Sequence, residues 1–256
     1  MRDPHVVSLT YKITSPEKVR YDNAPPVIFE TAEMKLSLAN GLLTVEPKHH
    51  FSSVDSAREV IDPFLRSWEV DVALRSGIIE ITFSYQEAKL VDRDPPPPGS
   101  NQIIKVGSAT IVTTANNITL TVSRGEYPEP PILFVASPDV ETLWQRHKGY
   151  QDGREPLLSM AYFCLTLLES KAGNRRAAAT TFKISIDVLG KLGELTSERG
   201  DARTARKFGR KAVRIPLTAT ESNWVQEAIK ILIRRVGESS HVATLPLITM
   251  ADLPPL

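Results

Sequence analysis

The sequence predicts an α+β protein: a mostly antiparallel sheet domain with one helical insertion over residues 1–135, then a helical bundle with an extended tail over 136–256. Three observations carry this division. The apolar period is two in the first half and changes to 3.6 in the second. Of 19 prolines, 13 precede residue 136, where extended and turn structure is expected. The charge also changes sign: residues 1–135 hold 13 basic against 17 acidic side chains and 136–256 hold 18 against 13, a net −4 and a net +5.

In the first half Val7, Leu9, Tyr11 and Ile13 alternate with polar residues, as do Met34, Leu36 and Leu38, and Leu43 and Val45. Each set reads as a half-buried strand. Between the last two lies Asn40-Gly41, the pair that best accepts positive φ at both centres of a type I′ turn. Ala57, Val60, Ile61, Phe64, Leu65, Trp68 and Val72 then recur at helical steps. Pro63 is expected to divide that helix, with Asp62 capping a second segment. Ile79, Ile81, Phe83 and Tyr85 resume the alternation, and Ile104–Val112 and Ile118–Val122 flank a hairpin at Asn116-Asn117. The run Pro95-Pro96-Pro97-Pro98-Gly99 reads as an exposed polyproline connector, because proline cannot donate to a sheet ladder.

Tyr127-Pro128-Glu129-Pro130-Pro131 is a stiff linker, and Ser137-Pro138 reads as an N-cap with proline in the first turn. Val140, Leu143, Trp144 and His147 outline a first helix. Leu157–Ser170 is apolar nearly all round, as a central helix should be. Phe182, Ile186, Leu189, Leu192 and Leu195 form a stripe on a helix over 175–198, whose Gly190 and Gly193 are expected to admit a neighbouring backbone. Thr218-Ala219-Thr220-Glu221 has the capping-box pattern that opens the last long helix, ending at Gly237. In the tail, Leu245, Leu247, Ile248 and Met250 are expected to pack.

Several chemistries lack their supports. No apolar run approaches the roughly 20 residues that cross a bilayer, so no membrane partner is expected. Met1-Arg2-Asp3-Pro4-His5 leads into a strand pattern and not an apolar signal region, and Cys164 is the one cysteine. A cytoplasmic location is the expectation. There is no Walker-type loop, G-x-G-x-x-G, G-x-S-x-G or H-E-x-x-H, so no cofactor is expected. Five histidines show no zinc spacing, and His49-His50 would face opposite ways if they continued a strand. No metal site is expected.

The densest charge lies between Arg199 and Arg214. Arg203, Arg206, Lys207, Arg210, Lys211 and Arg214 recur at steps that place most of them on one face of a short helix, opposite Ala205, Phe208, Ala212 and Ile215. Two readings stay open: contact with a nucleic-acid backbone, which binding releases of condensed counterions, or a solvated face answering the acidic first half.

The second half, with its LTLLES segment at Leu165–Ser170, long second helix and basic connection, resembles the HEPN superfamily of helical bundles over residues 154–241. That resemblance implies a bacterial defence or stress setting and a homodimer through the helical half. Active members of the superfamily cleave RNA with an arginine followed, after four to six residues, by a histidine. Arg235 precedes His241 with five residues between, and Arg234 precedes it with six. In such a pair arginine stabilises phosphodiester charge and histidine moves a proton. The leading expectation is a non-enzymatic binding or regulatory protein contacting RNA or a partner protein. The alternative is a metal-independent ribonuclease using Arg235 and His241.

Overall fold

Period-two alternation becomes strand wherever one face can be buried. The computed structural model describes residues 3–15, 19–94, 104–107, 122–200 and 215–256. The chain divides into two units, Met1–Ile132 and Leu133–Leu256. The first contains β1 (Pro4–Thr14), β2 (Val19–Arg20), β3 (Val27–Glu30), β4 (Met34–Ala39), β5 (Leu42–Pro47), α1 (Val54–Ser76), β6 (Thr82–Asp92), β7 (Ile104–Gly107) and β8 (Val122–Ser123). Six strands form one sheet in the order β3-β4-β5-β1-β6-β7, and β2 pairs in parallel with β8. All pairings within the larger sheet are antiparallel. The fold is α+β.

At the β4–β5 turn Asn40 has φ +52 and Gly41 φ +73, the left-handed pair a type I′ hairpin needs. Its tip is tied down twice: Gly41 N–H donates to the Tyr127 hydroxyl at 2.9 Å, and Ile13 N–H donates to the Gly41 carbonyl at 2.8 Å. The predicted inward set on β1 needs one correction. Val6, Leu9 and Tyr11 are buried, and Val7 is not. Pairing runs Val6↔Leu90 and then Ser8↔Lys89, so Val7 is an extra residue. A second offset, Thr10↔Glu87 followed by Tyr11↔Tyr85, leaves Gln86 as the extra residue on β6. Each bulge turns the following residues over, which is why β6 changes from inward Phe83 and Tyr85 to inward Ala88 and Leu90.

Helix α1 lays Ala57, Ile61, Leu65, Trp68 and Val72 into the core formed by Leu9, Tyr11, Leu36, Leu38, Leu43 and Val45. Removing the fully buried Trp68 ring would cost about 3–5 kcal/mol. The expected division at Pro63 does not occur: α1 is continuous, capped by Ser53, whose Oγ accepts from Ser56 N–H, and closed by Gly77 at φ +80. One proline removes one intrahelical bond, and the apolar stripe on both sides of it holds the helix together. Asp62 is therefore no cap. It accepts from the Tyr11 hydroxyl at 2.7 Å and pairs with Arg58 Nη2 at 2.7 Å. The proline run and the Asn116-Asn117 turn lie outside the described residues.

The second unit contains α2 (Pro138–Gln151), α3 (Leu157–Ala172), α4 (Arg175–Thr181), α5 (Ile186–Glu198) and α6 (Ala219–Gly237), with 3₁₀ turns at Ser239–Thr244 and Met250–Asp252. Ser137 caps α2 with Pro138 in the first turn. Helix α3 is central, packing against α2, α4, α5 and α6 through Leu158, Met160, Ala161, Cys164, Leu165 and Leu168. Burial pushes the Cys164 thiol up to about 12, so it is an inert core group. Among the described residues no helix is long and apolar enough to cross a membrane.

The helix expected over 175–198 is two helices. Lys183 takes φ +50, Ser185 caps α5, and the tail pairs here: Ile248 N–H donates to the Lys183 carbonyl at 2.9 Å and Ser185 N–H to the Ile248 carbonyl at 2.7 Å. Among the described residues no neighbouring backbone approaches either glycine. Gly190 faces open space, and Gly193 makes room for the Arg175 guanidinium, whose Nε donates to Glu169 at 2.6 Å. In the tail Leu253 is buried, whereas Leu247 is exposed.

Candidate functional site

The segment joining α5 to α6 and the two ends of α6 hold the residues singled out by sequence. At the amino end the capping box is complete: Thr218 Oγ1 accepts from Glu221 N–H at 3.1 Å, and Glu221 Oε2 accepts from Thr218 N–H at 2.8 Å. Glu221 Oε1 also accepts from Arg199 at 2.8 Å. The Thr218 N–H, with help from Arg199, holds the Glu221 carboxyl below its ordinary range. Gly200 N–H donates to the Ile215 carbonyl at 3.0 Å, so the two residues that bound segment 201–214 are hydrogen-bonded to each other. Arg203, Arg206, Lys207, Arg210, Lys211 and Arg214 fall between those two residues and outside the described residues.

At the carboxyl end Arg235 and His241 occupy different environments. Arg235 is 4% exposed. Its Nη2 donates to the Pro246 carbonyl at 3.0 Å, and its Nη1 lies 3.6 Å from Glu238 Oε2. Among the described residues Nε and Nη1 find no hydrogen-bond acceptor. Burial pulls the guanidinium pKa down against the opposing pull of Glu238. His241 sits on the following 3₁₀ turn with an exposed side chain; its N–H donates to the Glu238 carbonyl at 2.9 Å and its own carbonyl accepts from Thr244. Among the described residues no hydrogen bond or ion pair joins the two side chains. Arg235 is engaged in fastening the tail, where an arginine serving a phosphodiester needs open access to it.

Comparison with protein-family models, curated proteins and solved structures finds no match. The site therefore stands on its own chemistry.

Two clusters were beyond sequence reasoning. His147 of α2 is 3% exposed, with its ring against Trp144 at 5.7 Å and near Tyr150, and among the described residues its Nδ1 finds no partner. Burial, aided by Lys230 of α6, pushes its pKa down to about 4, so the imidazole is neutral at pH 7. The helical spacing of Val140, Leu143, Trp144 and His147 placed it on the buried face, but its charged neighbours come from a distant helix.

The second cluster joins the start of β1 to the loop after β5. Because β5 ends at Pro47, His49 and His50 do not continue a strand. His50 Nδ1 lies 3.1 Å from His5 Nδ1, and its Nε2 lies 3.5 Å from Asp3 Oδ1. No sequence signal links histidines so far apart. Among the described residues no group of three His, Cys, Asp or Glu side chains is disposed to hold a metal ion.

Proposed function

We propose that the protein is a non-enzymatic binding protein whose helical unit contacts RNA phosphates through segment 201–214, as a catalytically degenerate HEPN-like module of a bacterial defence or stress system. Charge placement is the observation that carries this. The second unit has a net charge of +5, and segment 201–214, with six basic residues and Asp201, holds all of it. Outside that segment the unit has 12 basic and 12 acidic side chains, many in ion pairs such as Arg146–Glu155, Arg175–Glu169, Arg199–Glu221 and Lys230–Glu227. An even surface needs no such excess; an excess gathered between two hydrogen-bonded residues is suited to a polyanion. The burial of Arg235 supports binding over cleavage.

The test is RNA binding by the full chain across a salt series. Replacing Arg203, Lys207, Arg210 and Arg214 by Gln should weaken binding and flatten the slope of log Kobs against log salt by roughly 0.7 per lost contact, up to about 3 for single-stranded RNA. His241→Ala should change neither. Wild type that binds no RNA overturns the reading; RNA cleavage that His241→Ala abolishes replaces it with the ribonuclease one.

A further inference from the structure

We propose that His5 and His50 form a binding site for a borderline divalent cation such as Zn²⁺, with Asp3 as the positioning carboxylate behind His50. The ring centroids are 5.1 Å apart and the planes 13° from parallel, yet the two Nδ1 atoms are only 3.1 Å apart. The rings therefore meet by their Nδ1 edges and do not overlap face to face. Two nitrogens each about 2.0–2.1 Å from one tetrahedral metal stand roughly 3.3 Å from each other, so a few tenths of an ångström of movement admits the ion. Imidazole nitrogen is a preferred donor for this class of metal.

Tautomers follow from the neighbours. Asp3 Oδ1, 3.5 Å from His50 Nε2, favours the proton there and leaves the His50 Nδ1 lone pair bare. In the absence of metal His5 Nδ1–H donates to that lone pair. On binding, His5 gives up its Nδ1 proton to solvent and takes one from solvent at Nε2, so both lone pairs serve the cation with no net change of charge. A carboxylate behind a ligating histidine is the usual outer support of such sites.

The pair is also fixed in place. Val6 N–H donates to the Phe51 carbonyl at 2.9 Å, which ties the residue after His5 to the residue after His50. Asp3 is held by its N–H to Asp92 Oδ1 at 3.0 Å and by its carbonyl, which accepts from Arg93 N–H at 2.8 Å. Both His50 and Asp3 are well exposed, so the ion has access and water completes its coordination.

The experiment is calorimetric titration of the full, EDTA-stripped chain with Zn²⁺ alone. One saturating equivalent is expected. His5→Gln and His50→Gln should each weaken binding by at least about tenfold, Asp3→Asn by about 10–100-fold, and His49→Gln not at all. As a readout independent of any variant, Zn²⁺ should shift the Nδ1 resonances of His5 and His50 in imidazole ¹⁵N spectra of the wild-type chain. No saturable uptake, uptake unaffected by both histidine variants, or unshifted Nδ1 resonances would overturn the proposal. Unchanged affinity in Asp3→Asn would remove Asp3 from it.

Discussion

At the end of α6, Gly237 has no room for a methyl group. A Cβ built there falls 2.3 Å from Phe134 Cε2 and 2.4 Å from Cδ2, against about 3.5–4.0 Å for a comfortable carbon contact. Phe134 is buried, and its neighbour Val135 is hydrogen-bonded through N–H to the Gly237 carbonyl at 3.0 Å, so the ring has little freedom to withdraw. Overpacking of this kind costs about 1–3 kcal/mol, while alanine in place of glycine favours a helix by up to about 1 kcal/mol. Gly237→Ala should therefore destabilise the helical unit by about 1–2 kcal/mol in urea unfolding followed by far-ultraviolet circular dichroism. Phe134→Ala alone should cost about 3–5 kcal/mol. In that background the methyl meets a void, and Gly237→Ala should become stabilising by up to about 1 kcal/mol. The double-mutant cycle then gives a coupling of about 1–3 kcal/mol. A shift of the same sign and size in both backgrounds would refute the steric argument.

Three further outcomes are expected. His147 has a folded pKa near 4 against about 6.5 unfolded, so the unfolded chain takes up the proton first; stability should fall by about 1.4 kcal/mol per pH unit from pH 6.5 down to about 4, and His147→Phe should remove that share of the slope in urea titrations at several pH values. Arg235→Ala should cost about 2–4 kcal/mol, because it loses a buried stem and the charge-assisted bond to Pro246, and should speed proteolysis of the tail; His241→Ala, on an exposed side chain, should stay within about 0.5 kcal/mol. Gly41→Ala should cost about 1–2 kcal/mol by thermal unfolding, wholly from its φ of +73, since an added Cβ there meets nothing within 4 Å.

Local signals were legible because their physics is local. Asn40-Gly41, Ser137-Pro138 and the Thr218–Glu221 box each settle their geometry within four residues, and the structure has them as read. The misread elements depend on distant partners. Pro63 is tolerated because Ile61, Leu65 and Trp68 are buried by strands far along the chain, and the helix over 175–198 breaks where Ile248 supplies a pairing partner for Ile184. The candidate site follows the same division. Helical periodicity shows where Arg235 lies but not that Pro246 occupies its guanidinium, and His50 gains meaning only when the sheet brings His5 beside it.

The two bulges in the β1–β6 pair have a genetic consequence. Val7 is one residue too many on β1 and Gln86 one too many on β6, and beyond both the original register returns: Val6 faces Leu90 before them, and Ile13 faces Phe83 after them. The strands thus behave like a message carrying two compensating frameshifts. Deleting Val7 alone would leave the offset at Gln86 uncorrected, and either the near or the far end of the ladder would have to turn its apolar side chains to water. Deleting Gln86 as well would bring both ends back into frame. Length changes in these strands should therefore be tolerated in pairs, each acting as the suppressor of the other.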